Sequence, residues 1–157
     1  MTDSNETKTV TSRSPSHFAY NVRNREGGDN YWLRIGSAWA HTRKQALADG
    51  VQVDVSSTAK EAGIRFPVFI TRTAFDAYVT LPPNVSGQDE AGRLWDVVWM
   101  LRFAIGKATR GQDRLPFALY VRNDNRAARL VKLIAMCGAL DIDDPQPAIT
   151  IMLPDED

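Results

Sequence analysis

A chain of 157 residues with 43% apolar content can bury one hydrophobic core and is too short for several full-sized domains. Nineteen basic and nineteen acidic residues cancel to a formal net charge of zero, which excludes a strongly basic nucleic-acid binder and a heavily acidic DNA mimic, and leaves only local patches as electrostatic devices. The single cysteine, Cys137, excludes an intramolecular disulfide and a paired-cysteine metal knuckle. No apolar run is long enough to cross a bilayer, and the N-terminus lacks the apolar centre of a secretory signal. A cytoplasmic, bacterial-type protein without a membrane partner is the expectation.

In chain order, residues 1–15 are rich in Thr and Ser and predict a disordered tail. Residues 16–41 predict a β-hairpin: two aromatic-rich runs, Phe18–Arg23 and Tyr31–Trp39, flank a polar segment containing Gly27-Gly28. Tyr20, Arg23, Tyr31, Trp32 and Arg34 interleave aromatic rings with guanidinium groups, a composition that serves partner binding and suits stacking of single-stranded nucleic acid. The plainer reading is that these aromatics cover a core. Residues 1–44 hold seven basic and four acidic residues, and the remainder twelve and fifteen, so the two parts differ by only a mild charge asymmetry of +3 against −3.

Thr42 and Gln45 form a capping-box pattern ahead of a short helix that Gly50 stops. Val51–Val55 alternates as a half-buried strand. Thr58 with Glu61 repeats the capping-box spacing before a helix ending at Gly63. Pro67–Thr71 is β-like, and Thr73–Val79 is helical. A helix-turn-helix reading of 59–78 fails because Pro67 and β-branched residues occupy the recognition-helix position.

The longest helical pattern, 88–108, is the centre of the chain. Ser86 and Asp89 offer an N-terminal cap, and Gly111 a C-terminal stop. Ala91, Leu94, Trp95, Val98, Leu101 and Ile105 recur at steps of three and four and predict the buried face, which Val97 and Ala104 widen, with Asp89, Arg93, Asp96 and Lys107 facing water. Arg102 breaks the pattern by falling beside Trp95 and Val98. It must snorkel, stack on tryptophan or pair with a carboxylate, and it is a further partner-binding candidate. Three strand patterns follow at 117–122, 129–137 and 148–153, with Cys137 read as a small buried hydrophobe. Short connections predict an antiparallel meander. The fold class is α+β: an antiparallel sheet, made of the C-terminal three-strand meander plus N-terminal strands, packed on the long central helix.

No residue set points to catalysis, a cofactor or a metal. His17 and His41 lack ligand spacing. Asp141, Asp143 and Asp144 lack the glycine and glutamate of a calcium loop. Asp89, Glu90 and Asp96 are spread along a wet helix face, and no phosphate-loop, dinucleotide or nucleophile-elbow motif occurs. An enzyme would need an unrecognised site, with Arg102, Asp54 and Tyr120 as its nearest candidates.

The residues Arg43–Val55, Pro67-Val68, Gln88–Met100 and Pro147–Asp157 resemble an uncharacterised family carried on bacterial plasmids and integrative elements. Ser16–Tyr20 and Gly27–His41 resemble the opening of small β proteins of conjugative plasmids, which continue into a further strand that is absent here. The chain thus resembles a fusion of a hairpin segment, 16–41, with an α+β domain, 42–157. Together with size, neutrality and the missing catalytic set, the resemblance implies a non-enzymatic interaction protein of a mobile genetic element. Its partner would be another protein, with modulation of host defence, of the anti-CRISPR or antirestriction type, as one concrete form. A nucleic-acid-binding accessory factor working through the hairpin is the alternative.

Overall fold

A computed structural model describes residues 42–109 and 111–156, and the backbone of 17–23 and 31–38. The chain divides into two compact units, Met1–His41 and Thr42–Asp157. In the first, β1 (His17–Arg23) pairs antiparallel with β2 (Tyr31–Ala38), with a register shift between Ala19 and Tyr20. The expected tail, 1–15, and the turn between these strands lie outside the described residues.

The second unit begins with α1 (Arg43–Ala48), where the capping box forms as its spacing requires: the Thr42 hydroxyl accepts the Gln45 N–H at 3.2 Å and the Gln45 side chain accepts the Thr42 N–H at 3.1 Å. Gly50, at φ +71°, turns the chain into β3 (Gln52–Asp54). α2 (Ser56–Glu61) starts three residues earlier than the second capping-box pattern implies, so Thr58 lies inside the helix and caps nothing. Ser56 takes the tertiary role instead, its hydroxyl accepting the Val68 N–H at 3.1 Å and donating to the Val68 carbonyl at 3.3 Å. These bonds tie α2 to β4 (Val68–Thr71), whose last residue caps α3 (Arg72–Tyr78) through its own hydroxyl. A strand therefore separates α2 from α3, and the helix-turn-helix reading is excluded. α4 (Glu90–Lys107) is capped by Asp89, which accepts the Gly92 N–H at 2.8 Å, and not by Ser86.

β5 (Arg114–Val121), β6 (Arg129–Asp141) and β7 (Asp144–Met152) form the antiparallel meander. They extend into a five-stranded sheet of order β3-β4-β7-β6-β5. Two features correct the sequence expectation. The added strands are 52–54 and 68–71, while β1 and β2 form a sheet of their own. The β4–β7 pairing is parallel, so the sheet is mixed. The crossover between those strands includes α3, α4 and two strands, long enough to bring β7 back in the direction of β4.

One core cluster joins Val97, Val98 and Leu101 of α4, Ala59 of α2 and Ala74 of α3 to Ile70, Phe117, Leu119, Leu133 and Ile151 of the sheet. On the reverse face, Arg43 fixes α1. Its guanidinium donates to the side chains of Gln52 and Thr150 at 2.9 and 3.0 Å and to the Leu140 carbonyl, and it lies 4.3 Å over the Phe69 ring. Asp141 accepts the backbone N–H groups of Ile142, Arg43 and Lys44. It is a turn and helix anchor, and among the described residues no group of three acidic, His or Cys side chains is placed to hold a metal ion. Cys137 is exposed, correcting its expected burial. No helix among the described residues is long and apolar enough to cross a membrane.

Two outcomes are expected. Leu101→Ala empties fully buried volume and should cost about 3 kcal/mol, read as a fall in Tm on the order of 10 °C. The Asp141 carboxyl is held below its ordinary 3.8, first by the Ile142 N–H and then, against some loss of hydration, by the N–H groups of Arg43 and Lys44 and the Lys44 charge. A depressed carboxyl stabilises fully above its unfolded value and loses that contribution as pH falls through its folded value. Urea midpoints of Asp141→Asn should therefore fall less than those of the natural chain below roughly pH 4.

Candidate interaction surfaces

The buried face of α4 overlaps the one its periodicity suggests, through Val97, Val98 and Leu101, and is rotated from it. Arg93 is only 5% exposed, whereas Trp95, Trp99 and Phe103 are 37%, 53% and 54% exposed. At about 100° per residue, the buried arc centres near Val97 and Leu101 and is rotated by roughly 40° from the middle of the expected stripe. Ala91 and Trp95 leave the predicted core and Arg93 enters it, so both Trp95 and Arg93 are corrections.

Arg93 is tolerated inside because carbonyls and amides meet all of its donor nitrogens. Nε donates to the carbonyls of Tyr78 at 3.2 Å and Val79 at 3.0 Å, Nη1 to Gln88 Oε1 at 2.9 Å and the Arg122 carbonyl at 2.8 Å, and Nη2 to Asn123 Oδ1. Tyr78 and Val79 end α3, where the helix dipole leaves negative partial charge. Burial still pulls the Arg93 pKa below its ordinary value, with Asp96 and Glu90 opposing that pull. One guanidinium thus joins α3, α4 and the end of β5.

Beside it runs a groove of about 510 Å³ between the N-terminal half of α4 and β5. Gly92, Trp95 and Asp96 line one side, and the consecutive residues Leu119, Tyr120, Val121 and Arg122 the other. Four consecutive residues of a strand line a cavity when its edge, and not one face, forms the wall. β5 is the outermost strand of the sheet, and among the described residues it pairs only with β6. The Cys137 N–H donates to the Asp113 carbonyl at 2.7 Å, and the register sets Arg114 opposite Met136. Odd-numbered residues of β5 therefore bond to β6, and Pro116, Ala118 and Tyr120 direct their backbone groups outward. Pro116, which has no N–H, sits in the outward set, as edge strands permit. The Arg122 carbonyl, in the same set, is taken by Arg93. Ala118 and Tyr120 remain open, and the Tyr120 side chain is 70% exposed.

The other candidates are dispersed. Register places Tyr20 opposite Arg34, Val22 opposite Trp32 and Arg23 opposite Tyr31. The side chains of β1 and β2, and Trp39 and His41 entirely, lie outside the described residues. Arg102 is exposed and lines a separate depression with Trp99 and Phe103. Asp54 lines a cavity on the α1 side. The three residues proposed for an enzyme, Arg102, Asp54 and Tyr120, thus lie in three different cavities and form no common site.

Sequence reading missed the groove because an edge is a property of strand order, which no local pattern records. It missed the exposure of Trp95 because a large apolar residue in step with the buried stripe reads as core, and it assigned no role to Phe103. The i, i+4, i+8 spacing of Trp95, Trp99 and Phe103, shared with Gly92 and Gly106 on that side, was the available signal of a second face. Comparisons with protein-family models, curated proteins and solved structures returned no match.

Replacing Arg93 should expose what it holds. Arg93→Leu leaves buried carbonyls without donors and is expected to cost at least ~3 kcal/mol. Arg93→Lys keeps the charge without the fork and should lose about 2 kcal/mol, both read from urea unfolding.

Proposed function

We propose that this chain is a cytoplasmic, non-enzymatic accessory protein of a bacterial mobile genetic element that acts by binding another protein, with modulation of host defence as its setting. The observation that carries the binding reading is the groove that Tyr120, on the open edge of β5, lines together with Trp95 and Asp96, with Ala118 next along the same edge. The occupant it suits is an extended segment of the partner, added as a further strand. Backbone bonds to Ala118 and Tyr120 supply affinity, and Trp95 and Tyr120 supply apolar contact. The sheet lying across α4, supported by their shared core, keeps the two walls of the groove in fixed relation. The mobile-element setting rests on the resemblance of 42–157 and 16–41 to plasmid-borne proteins.

A second reading, a nucleic-acid accessory factor working through the hairpin, is favoured by the register that sets Tyr20 against Arg34 and Arg23 against Tyr31.

A tagged pull-down from bacterial extract, with and without nuclease, separates the two. The protein reading expects a nuclease-resistant partner that Tyr120→Pro releases. Proline at 120 removes an outward N–H and leaves the bonds to β6 intact, so Tm should stay within a few degrees. Partners that vanish with nuclease, survive Tyr120→Pro and are lost with Trp32→Ala would replace this reading with the second.

A further inference from the structure

A second surface lies toward the C-terminal end of α4 and differs in chemistry from the groove. Trp99, Arg102, Phe103 and Lys107 line a depression of about 400 Å³ that Ala62 closes on the α2 side. The next residue, Gly63, begins a neighbouring depression of about 560 Å³ that holds Lys60, Arg65 and Phe66. The two adjoin where Arg102 passes Gly63. Arg102 Nε lies 3.8 Å from where a Cβ on Gly63 would stand, and Nη1 lies 3.6 Å from the same position on Gly106. Gly63 has φ +85°, a conformation that favours glycine and so keeps the backbone beside the guanidinium without a side chain.

Four cations and no acidic residue line this joined surface in a chain whose formal charge is zero. Among the described residues, Lys60, Arg65 and Arg102 enter no ion pair. Phe66, Trp99 and Phe103 are exposed between them. The rings are supported rather than loose: Trp99 stacks on Trp95 with centroids 5.8 Å apart, and Lys107 Nζ sits 4.1 Å over Phe103. Unpaired cations recruit a polyanion, and exposed flat rings between them recruit one that carries planar groups along its length. Duplex nucleic acid hides its base faces in the stack, and an acidic peptide has few planar groups. Single-stranded nucleic acid supplies both phosphates and open bases.

We propose that the surface formed by Lys60, Arg65, Phe66, Trp99, Arg102 and Phe103 binds single-stranded nucleic acid, with bases on the rings and phosphates on the cations. This site is independent of the peptide groove along β5.

The test titrates the full chain with fluorescein-labelled oligo-dT of twenty nucleotides, following anisotropy and tryptophan emission from 50 to 300 mM NaCl. Binding with quenched emission is expected, with log K falling against log salt at a slope of about −2 to −3 for three or four phosphates. Trp99→Ala with Phe103→Ala should weaken binding roughly tenfold or more and leave the slope nearly unchanged. Arg65→Gln with Arg102→Gln should flatten the slope by about 1 to 1.5 units. Tyr120→Pro and Trp32→Ala should alter neither, which separates this site from the groove and from the hairpin. Absence of binding at 50 mM salt would overturn the proposal. So would binding that survives both double variants, or equal competition by polyglutamate without quenching.

Discussion

The guanidinium of Arg93 is the interaction on which the arrangement around α4 depends. A buried cation with no carboxylate in contact is costly by itself. It persists because the C-terminal carbonyls of α3, the carbonyl of Arg122 and two amide side chains converge on it. Each acceptor belongs to a segment that could otherwise drift: the end of α3, the approach to α4 and the end of β5. A planar fork with directional donors fixes their relative positions in a way that an apolar residue of equal volume cannot. Arg43 does the same on the reverse face of the sheet, gathering β3, β7 and the β6–β7 turn under α1.

Because Arg93 turns one side of α4 inward, its aromatic side must turn outward. Val97, Val98 and Leu101 satisfy the core, and Trp95, Trp99 and Phe103 form a stripe that no described element covers. The helix is thus apolar on two faces for two reasons, one packing and one open. The open stripe spans two surfaces of different character. At its N-terminal end Trp95 stands by an unpaired strand edge, whose outward backbone donors and acceptors suit an extended chain. At its C-terminal end Trp99 and Phe103 stand among cations, which suit a polyanion with planar groups. An adaptor joining a protein to single-stranded nucleic acid would use both ends of one helix.

Much of the second unit is legible residue by residue. The Thr42–Gln45 box, the stop at Gly50, the strands at 52–54 and 68–71, and the meander after Gly111 all follow from contacts within a few positions, and those contacts are what a sequence records. Errors arise where a long-range partner competes with a local signal. Ser56, bonded to Val68 across 12 residues, moves the start of α2 ahead of the Thr58–Glu61 pattern. Arg93, expected to face water, is buried because acceptors as far as 30 residues away converge on it.

The sequence by itself determined the order and type of these elements and the presence of one amphipathic helix, because periodicity, caps and turn residues act locally. Only the tertiary structure decided which face of α4 is buried, that β4 and β7 run parallel, and that β5 is left as an edge beside Trp95. Those outcomes depend on strand order and on where distant carbonyls converge, and neither quantity is carried by any short stretch of chain.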